Sequence, residues 1–293
     1  MITVEKISKT RYRVYANMFS PSRFKKLVEE QDMSYLLSKY EIYDAKDNSS
    51  IVTVGDYYKY IYNTLLSCYR NEYVYKNLII NKRLLGRHNL NTATVLNEFK
   101  IGKSIADLVL LNGVSVVYEI KTELDNLYRI ESQIADYRKV FEHIYIVTHI
   151  SLAEKYANML DETIGLLALT ENNTLKTIRE ATKNVEHFDS SIMIKCLRKS
   201  EYSNIIMSYF GSVPNTTPVK YYSACKELFA KIPCDELHRM MLVELKKRTI
   251  KEKDKFTSND ITPPELKYLF WNLDFNADSY ERVSEVMNLR LAL

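Results

Sequence analysis

Between about residues 86 and 185 the apolar positions crowd into short runs broken by turn residues, while on either side they recur at helical spacing. VLNEFKI (95–101), SIADLVLL (104–111) and VSVVYEIKT (114–122) read as three strands, rich in β-branched and aliphatic residues. NLYRIESQIADYRKVFE (126–142) follows with Leu127, Ile130, Ile134, Tyr137 and Phe141 near helical spacing, which predicts a helix. HIYIVT (143–148) is a short buried strand, and Ser151-Leu152-Ala153-Glu154 reads as a capping box opening a helix to about residue 162. LLAL (166–169) and TLKTI (174–178) form a last hairpin. The order strand, strand, strand, helix, strand is a coherent α/β unit.

The flanks are helical. Ser20-Pro21-Ser22 opens one helix, and Gly55-Asp56 opens another that runs into YYKYIYNTLLSCY. From about residue 186 helical spacing returns, broken from Gly211 to Pro218, and Thr262-Pro263-Pro264-Glu265 reads as a capping box for a last helix. The expected organisation is an N-terminal helical region (1–85), an α/β core (86–185) and a C-terminal helical region (186–293).

The core strands carry charge where burial should forbid it. Asp107 lies in the second strand, and Glu119 and Lys121 lie in the third. If Gly102-Lys103 is a two-residue type II′ loop, Ile101 pairs with Ser104 and Glu98 falls opposite Asp107. If Asn112-Gly113-Val114 is a three-residue loop, Leu111 pairs with Ser115 and Asp107 falls opposite Glu119. Lys121 is then on the same face as Glu119, two residues on. A two-residue Asn-Gly loop would instead pair Asp107 with Tyr118 and turn Glu119 to the other face. Carboxylates gathered on one rung repel, and a hard divalent cation removes that repulsion, since Mg²⁺ takes carboxylate, water and phosphate oxygens. The bland alternative is an edge hairpin with solvated ion pairs.

Composition adds limits. Net charge is +4 over 293 residues, compatible with a phosphate-bearing partner without requiring one. The 23 tyrosines suit stacking, wet interfaces or helix packing equally. Four cysteines without a C-x-x-C pair argue against a disulfide framework or zinc cluster, and MITVEKISKT has no apolar stretch of a secretory signal. With no run long enough to span a membrane, a cytoplasmic protein with no membrane partner is expected. Gly102-Lys103-Ser104 mimics a phosphate-binding loop, but Asn97 stands where its first glycine belongs, and no G-x-S-x-G elbow supports a serine hydrolase.

The helix after the third strand sharpens the picture. Arg129, Gln133 and Tyr137 recur every four residues along one face, so a Q-x-x-x-Y pattern directly follows Glu119-Ile120-Lys121. The set Asp107, Glu119-Ile120-Lys121, Gln133 and Tyr137 resembles the PD-(D/E)XK nuclease superfamily. With Glu98 upstream and Asp125-x-Leu127-x-Arg129, it is similar to the uncharacterised bacterial sce family of nuclease-like proteins. The resemblance covers roughly residues 90 to 185. It departs from the superfamily pattern at Ala106-Asp107, which lacks the preceding proline, and at Glu98, which reads as a strand residue where a helix commonly supplies that glutamate.

The resemblance implies an α/β, restriction-endonuclease-like αβββαβ core with helical additions at both ends. It implies a nuclease that uses Mg²⁺ or Mn²⁺ to hydrolyse phosphodiester bonds, in DNA before RNA, in phage defence, repair or a mobile element. Asp107 and Glu119 would bind metal with the Ile120 carbonyl and Glu98. Lys121 would position or help deprotonate the attacking water, and Gln133 would orient the site or a phosphate. Arg129 and Tyr137 would face the nucleic-acid backbone. A catalytically inactive nucleic-acid-binding or protein-interaction module is the other class, and the oligomeric state stays open, a dimer included.

Overall fold

Tyrosine and phenylalanine, more than leucine, fill the core of the helices at the two ends of the chain. The computed structural model describes residues 9–46, 51–122, 125 and 127–291. These divide into two compact units: residues up to Leu85 together with those from Ile250 onward, and Gly86–Thr249. Residues 1–8 and 47–50 of the region read as helical lie outside the described residues.

The first unit begins with α1 (Lys9–Met18), α2 (Pro21–Glu29), α3 (Ser34–Tyr43), α4 (Val54–Cys68) and α5 (Glu72–Ile79). Pro21 opens α2, where its missing N–H leaves no bond unmade. A capping box starts α4: the Thr53 hydroxyl accepts from the Asp56 N–H, and the Asp56 carboxylate accepts from the Thr53 N–H. Tyr57, Tyr58, Ile61, Tyr62 and Leu65 are buried along one stripe of α4. Buried phenols need acceptors. Tyr15 and Tyr57 donate to the buried carboxylate of Asp44 at 2.6 and 2.8 Å, and Arg11 completes that cluster. In this unit the tyrosines therefore serve helix packing.

The second unit holds one mixed six-stranded sheet with its strands in chain order. They are β1 (Thr94–Ile101), β2 (Ser104–Leu111), β3 (Ser115–Ile120), β4 (His143–His149), β5 (Gly165–Leu169) and β6 (Leu175–Arg179). β1, β2 and β3 pair antiparallel, β3–β4 and β4–β5 are parallel, and β6 returns antiparallel to β5. The two parallel steps need crossovers, which α6 (Ile130–Arg138) and α7 (Ala153–Met159) supply. The helix read over 126–142 is shorter, entered by a 3₁₀ turn at Leu127–Arg129.

Residues 190–246 form α8 (Ser190–Met193), α9 (Lys199–Phe210), α10 (Pro218–Phe229) and α11 (Cys234–Lys246). Met193, Ile205, Phe229, Leu237, Met241 and Leu245 join Val109, Val117, Phe141 and Ile146 in one apolar cluster. These helices thus complete the core over the sheet, so the change of pattern near residue 185 does not separate the units. Beyond Ile250, α12 (Lys253–Thr257), α13 (Lys267–Leu273) and α14 (Ala277–Asn288) belong to the first unit. Tyr73 donating to the Glu265 carbonyl at 2.6 Å is one of their links to α5.

Neither capping box read from Ser151 or Thr262 forms. The ring of His149 accepts the Ser151 N–H, and the Thr262 hydroxyl donates to the Lys255 carbonyl. Among the described residues no helix is long and apolar enough to cross a membrane.

Candidate active site

Turn chemistry sets the register that assembles the site. Gly102 has φ +59° while Lys103 does not share that left-handed conformation, as a type II′ loop requires, and Ile101 pairs with Ser104. Between β2 and β3 the Asn112 N–H donates to the Val114 carbonyl at 3.0 Å and Leu111 pairs with Ser115. The loop therefore has three residues, and the two-residue alternative does not occur. Asp107 comes level with Glu119, and its Oδ2 accepts the Ile120 N–H at 2.7 Å.

Glu119 is the hub. It is 2% exposed, near the end of β3 beneath α6. Its Oε1 accepts from Lys121 Nζ at 2.8 Å and from Gln133 Nε2 at 2.5 Å, and its Oε2 accepts from the Tyr137 hydroxyl at 2.6 Å. Lys121 Nζ also donates to Gln133 Oε1 at 3.0 Å, which closes a ring of polar contacts. Two contacts with β4 fix the backbone of Lys121: its N–H donates to the Val147 carbonyl, and its carbonyl accepts from the Thr148 side-chain hydroxyl. Such a network satisfies each buried charge it holds, which a lone buried carboxylate could not.

Tyr137 differs from its expected role. It is fully buried, so its hydroxyl serves Glu119 and the Ile105 carbonyl and does not face a nucleic-acid backbone. Burial, then the charges of Glu119 and Asp107, hold its phenol far above the usual tyrosine range, so it acts as a donor at any ordinary pH. Tyr137→Phe is expected to cost about 1.5–3 kcal/mol, the range for a hydrogen bond to a charged group. Urea unfolding of the variant against the parent checks this, and an unchanged midpoint would remove the bond from the site.

Glu98 also departs from expectation. The register is the same on both sides of it, yet its backbone is left-handed at φ +47° and it drops out of the ladder. Leu96 before it and Phe99 and Ile101 after it enter the same apolar cluster, an odd spacing that a left-handed residue permits. Glu98 is exposed. Among the described residues no group of three or more His, Cys, Asp or Glu is placed to hold a metal, so Glu98, Asp107 and Glu119 do not converge as three ligands. The remaining oxygen donors are the carboxylates of Asp107 and Glu119 and the carbonyl of Ile120.

Arg129 is exposed at the start of α6 and lines a groove of about 890 Å³ with Gln133, Lys103, Lys139 and Lys195. Asp136 anchors that groove: its Oδ2 accepts from the Lys103 N–H and the Ser104 hydroxyl, and its Oδ1 from Lys139 Nζ at 3.0 Å. The sequence signals neither Asp136 nor the lysines, apart from the i, i+3 spacing of Asp136 and Lys139.

A second polar cluster mimics a hydrolase triad in residue type. Ser115 Oγ lies 3.0 Å from His238 Nε2, and Glu142 accepts the Ser115 N–H at 2.9 Å. All three are buried, and burial pushes the imidazole down to about 4 against the pull of the Glu142 charge. That arrangement ties the first residue of β3 to the residue before β4, in the interior of the sheet.

Comparison with known proteins adds kinship. The profile of the bacteriophage P4 protein cII family matches residues 67–270. Protein cII of Enterobacteria phage P4 is 22% identical over 174 residues, covering 58% of this chain and 64% of that protein. The chain thus spans somewhat under two thirds of the length of this curated relative. A protein of unknown function from Silicibacter pomeroyi, 12% identical, covers 49% of this chain and 94% of its own with a TM-score of 0.31.

Proposed function

The chain belongs to the bacteriophage P4 protein cII family, and we propose that it is a metal-dependent nuclease with its site at Asp107, Glu119 and Lys121. One observation carries this reading: Glu119 is held by three donors beside Asp107, with the Lys121 ammonium bonded to the same carboxylate. The pattern is that of the PD-(D/E)XK resemblance. Kinship with a phage protein favours a mobile-element setting.

The donor set suits the cation. Mg²⁺ takes hard oxygen ligands, and one or two carboxylates with waters and substrate phosphate oxygens suffice. Asp107 and Glu119 would hold Mg²⁺ or Mn²⁺, with the Ile120 carbonyl as a further donor and without Glu98. Once bound, the ion supplies positive charge against the phosphate oxygens as they gain negative charge. Two of the three Lys121 N–H groups go to Glu119 and Gln133, which leaves the third to orient the attacking water. Gln133 and Tyr137 are positioning residues, fixing the Glu119 carboxylate and, through Gln133, the ammonium. The cleavage is hydrolysis of a phosphodiester, in DNA before RNA.

The second reading, a nucleic-acid-binding module without catalysis, draws on the absence of a three-residue metal group among the described residues. Metal titration separates the two. A ligand of the native state raises stability by linkage, about 2.7 kcal/mol at a hundredfold excess over Kd. Mn²⁺ is expected to raise the melting temperature of the parent chain and to leave that of Asp107→Asn unmoved. A parent chain indifferent to Mn²⁺ would favour the second reading.

A further inference from the structure

We propose that the groove beside the site binds single-stranded nucleic acid, with phosphates along Lys103, Arg129, Lys139 and Lys195 and bases over Ile105 and Ile192. The groove lies between the β1–β2 turn, α6, and α8 with the segment after it, all within one unit. Gln133 lines it and also bonds Glu119 and Lys121, so the groove leads to the candidate site. Strandedness deepens the nuclease reading and rests on it for the cutting step alone.

Charge favours a polyanion. Among the described residues four cations line the groove against one carboxylate, Asp136, which pairs with Lys139 and has both oxygens engaged. Lys103 and Lys195 are exposed, as is Arg129. The turn that presents Lys103 is clamped to α6. A Cβ on Gly102 would meet the Asp136 carboxylate at 3.0–3.1 Å, and φ +59° already favours glycine there. The lysine is thereby held at the groove rim by a fixed backbone.

The apolar lining selects strandedness. Ile105 is 54% exposed although it lies in a strand, and the half-buried Ile192 lines the same groove. A duplex keeps its base faces stacked inside and offers an apolar floor only base edges at the bottom of its grooves. A single strand offers base faces to an apolar floor and phosphates to a basic rim at once.

The test is fluorescence anisotropy with a labelled DNA single strand and the matching duplex, on the full chain in EDTA, across a salt series. The single strand is expected to bind more tightly than the duplex. Each phosphate contact to a single strand contributes about 0.7 to the salt slope, so Lys103→Ala/Lys195→Ala should lower it by about 1.4 with an unchanged melting temperature. Should the double variant unfold, Lys195→Ala alone carries the test with a loss of about 0.7. Ile105→Ser should weaken single-strand binding at an unchanged slope. Equal affinity for duplex and single strand, or a slope indifferent to the lysines, would overturn the proposal. Since EDTA suppresses cutting, these binding results stand or fall separately from the nuclease reading.

Discussion

Replacing Glu119 by alanine is expected to destabilise the sheet-bearing unit by about 3–5 kcal/mol and to end metal-dependent cleavage. The Lys121 ammonium is bonded to Glu119 at 2.8 Å, and both side chains are buried. Without the carboxylate that charge is left with the Gln133 oxygen, and the Tyr137 hydroxyl with the Ile105 carbonyl and a long contact from Gln133 Nε2. A buried charge that loses its partner is costly, whereas losing both partners together is much less so. Glu119→Ala/Lys121→Met should therefore recover a large part of the loss. Denaturant unfolding of both variants measures it. Parent-like stability of Glu119→Ala would mean that the ion pair is not buried in solution.

Lys121→Met is expected to lower single-turnover cleavage by about 10²–10³, the range for losing one donor aimed at developing charge. Methionine keeps most of the buried stem and removes only the ammonium. Glu119 retains two donors, Gln133 and Tyr137, so the loss of stability should be smaller than for Glu119→Ala. Mn²⁺ affinity should stay within a few-fold of the parent, because Lys121 is a donor and not a ligand. Cleavage at the parent rate would remove Lys121 from the reaction. A collapse in Mn²⁺ affinity would make its role one of holding Glu119.

The sheet and the centre of the site were legible because turn residues fix register. Gly102-Lys103 aligned the first two strands, and of the two loops left open at Asn112-Gly113 the three-residue one forms, which places Asp107 level with Glu119. The E-x-K strand and the four-residue spacing of Gln133 and Tyr137 then put both helix residues against the same carboxylate. Glu98 was misread because a left-handed backbone at a glutamate has no sequence signal, unlike one at glycine or asparagine. Helical spacing places Tyr137 on a face without telling whether that face is covered, and here the sheet covers it. The groove cations stand at 103, 129, 139 and 195, and only tertiary packing gathers them. The same holds for Ser115 and His238, and for Tyr73, whose acceptor is the carbonyl of Glu265. Local pattern also could not show that the helices of 190–246 complete the core over the sheet, while those beyond 250 join the N-terminal helices.

The central claim is that Asp107, Glu119 and Lys121 form a phosphodiesterase site, and cleavage of an end-labelled DNA strand by the purified chain tests it most directly. Parallel reactions would contain Mg²⁺, Mn²⁺ or EDTA, with Asp107→Asn purified and assayed alongside. The expected result is cutting by the parent with either metal, none in EDTA and none by Asp107→Asn, which should still bind the strand. Intact DNA in every reaction with a folded, strand-binding parent, or equal cutting by Asp107→Asn, would contradict it.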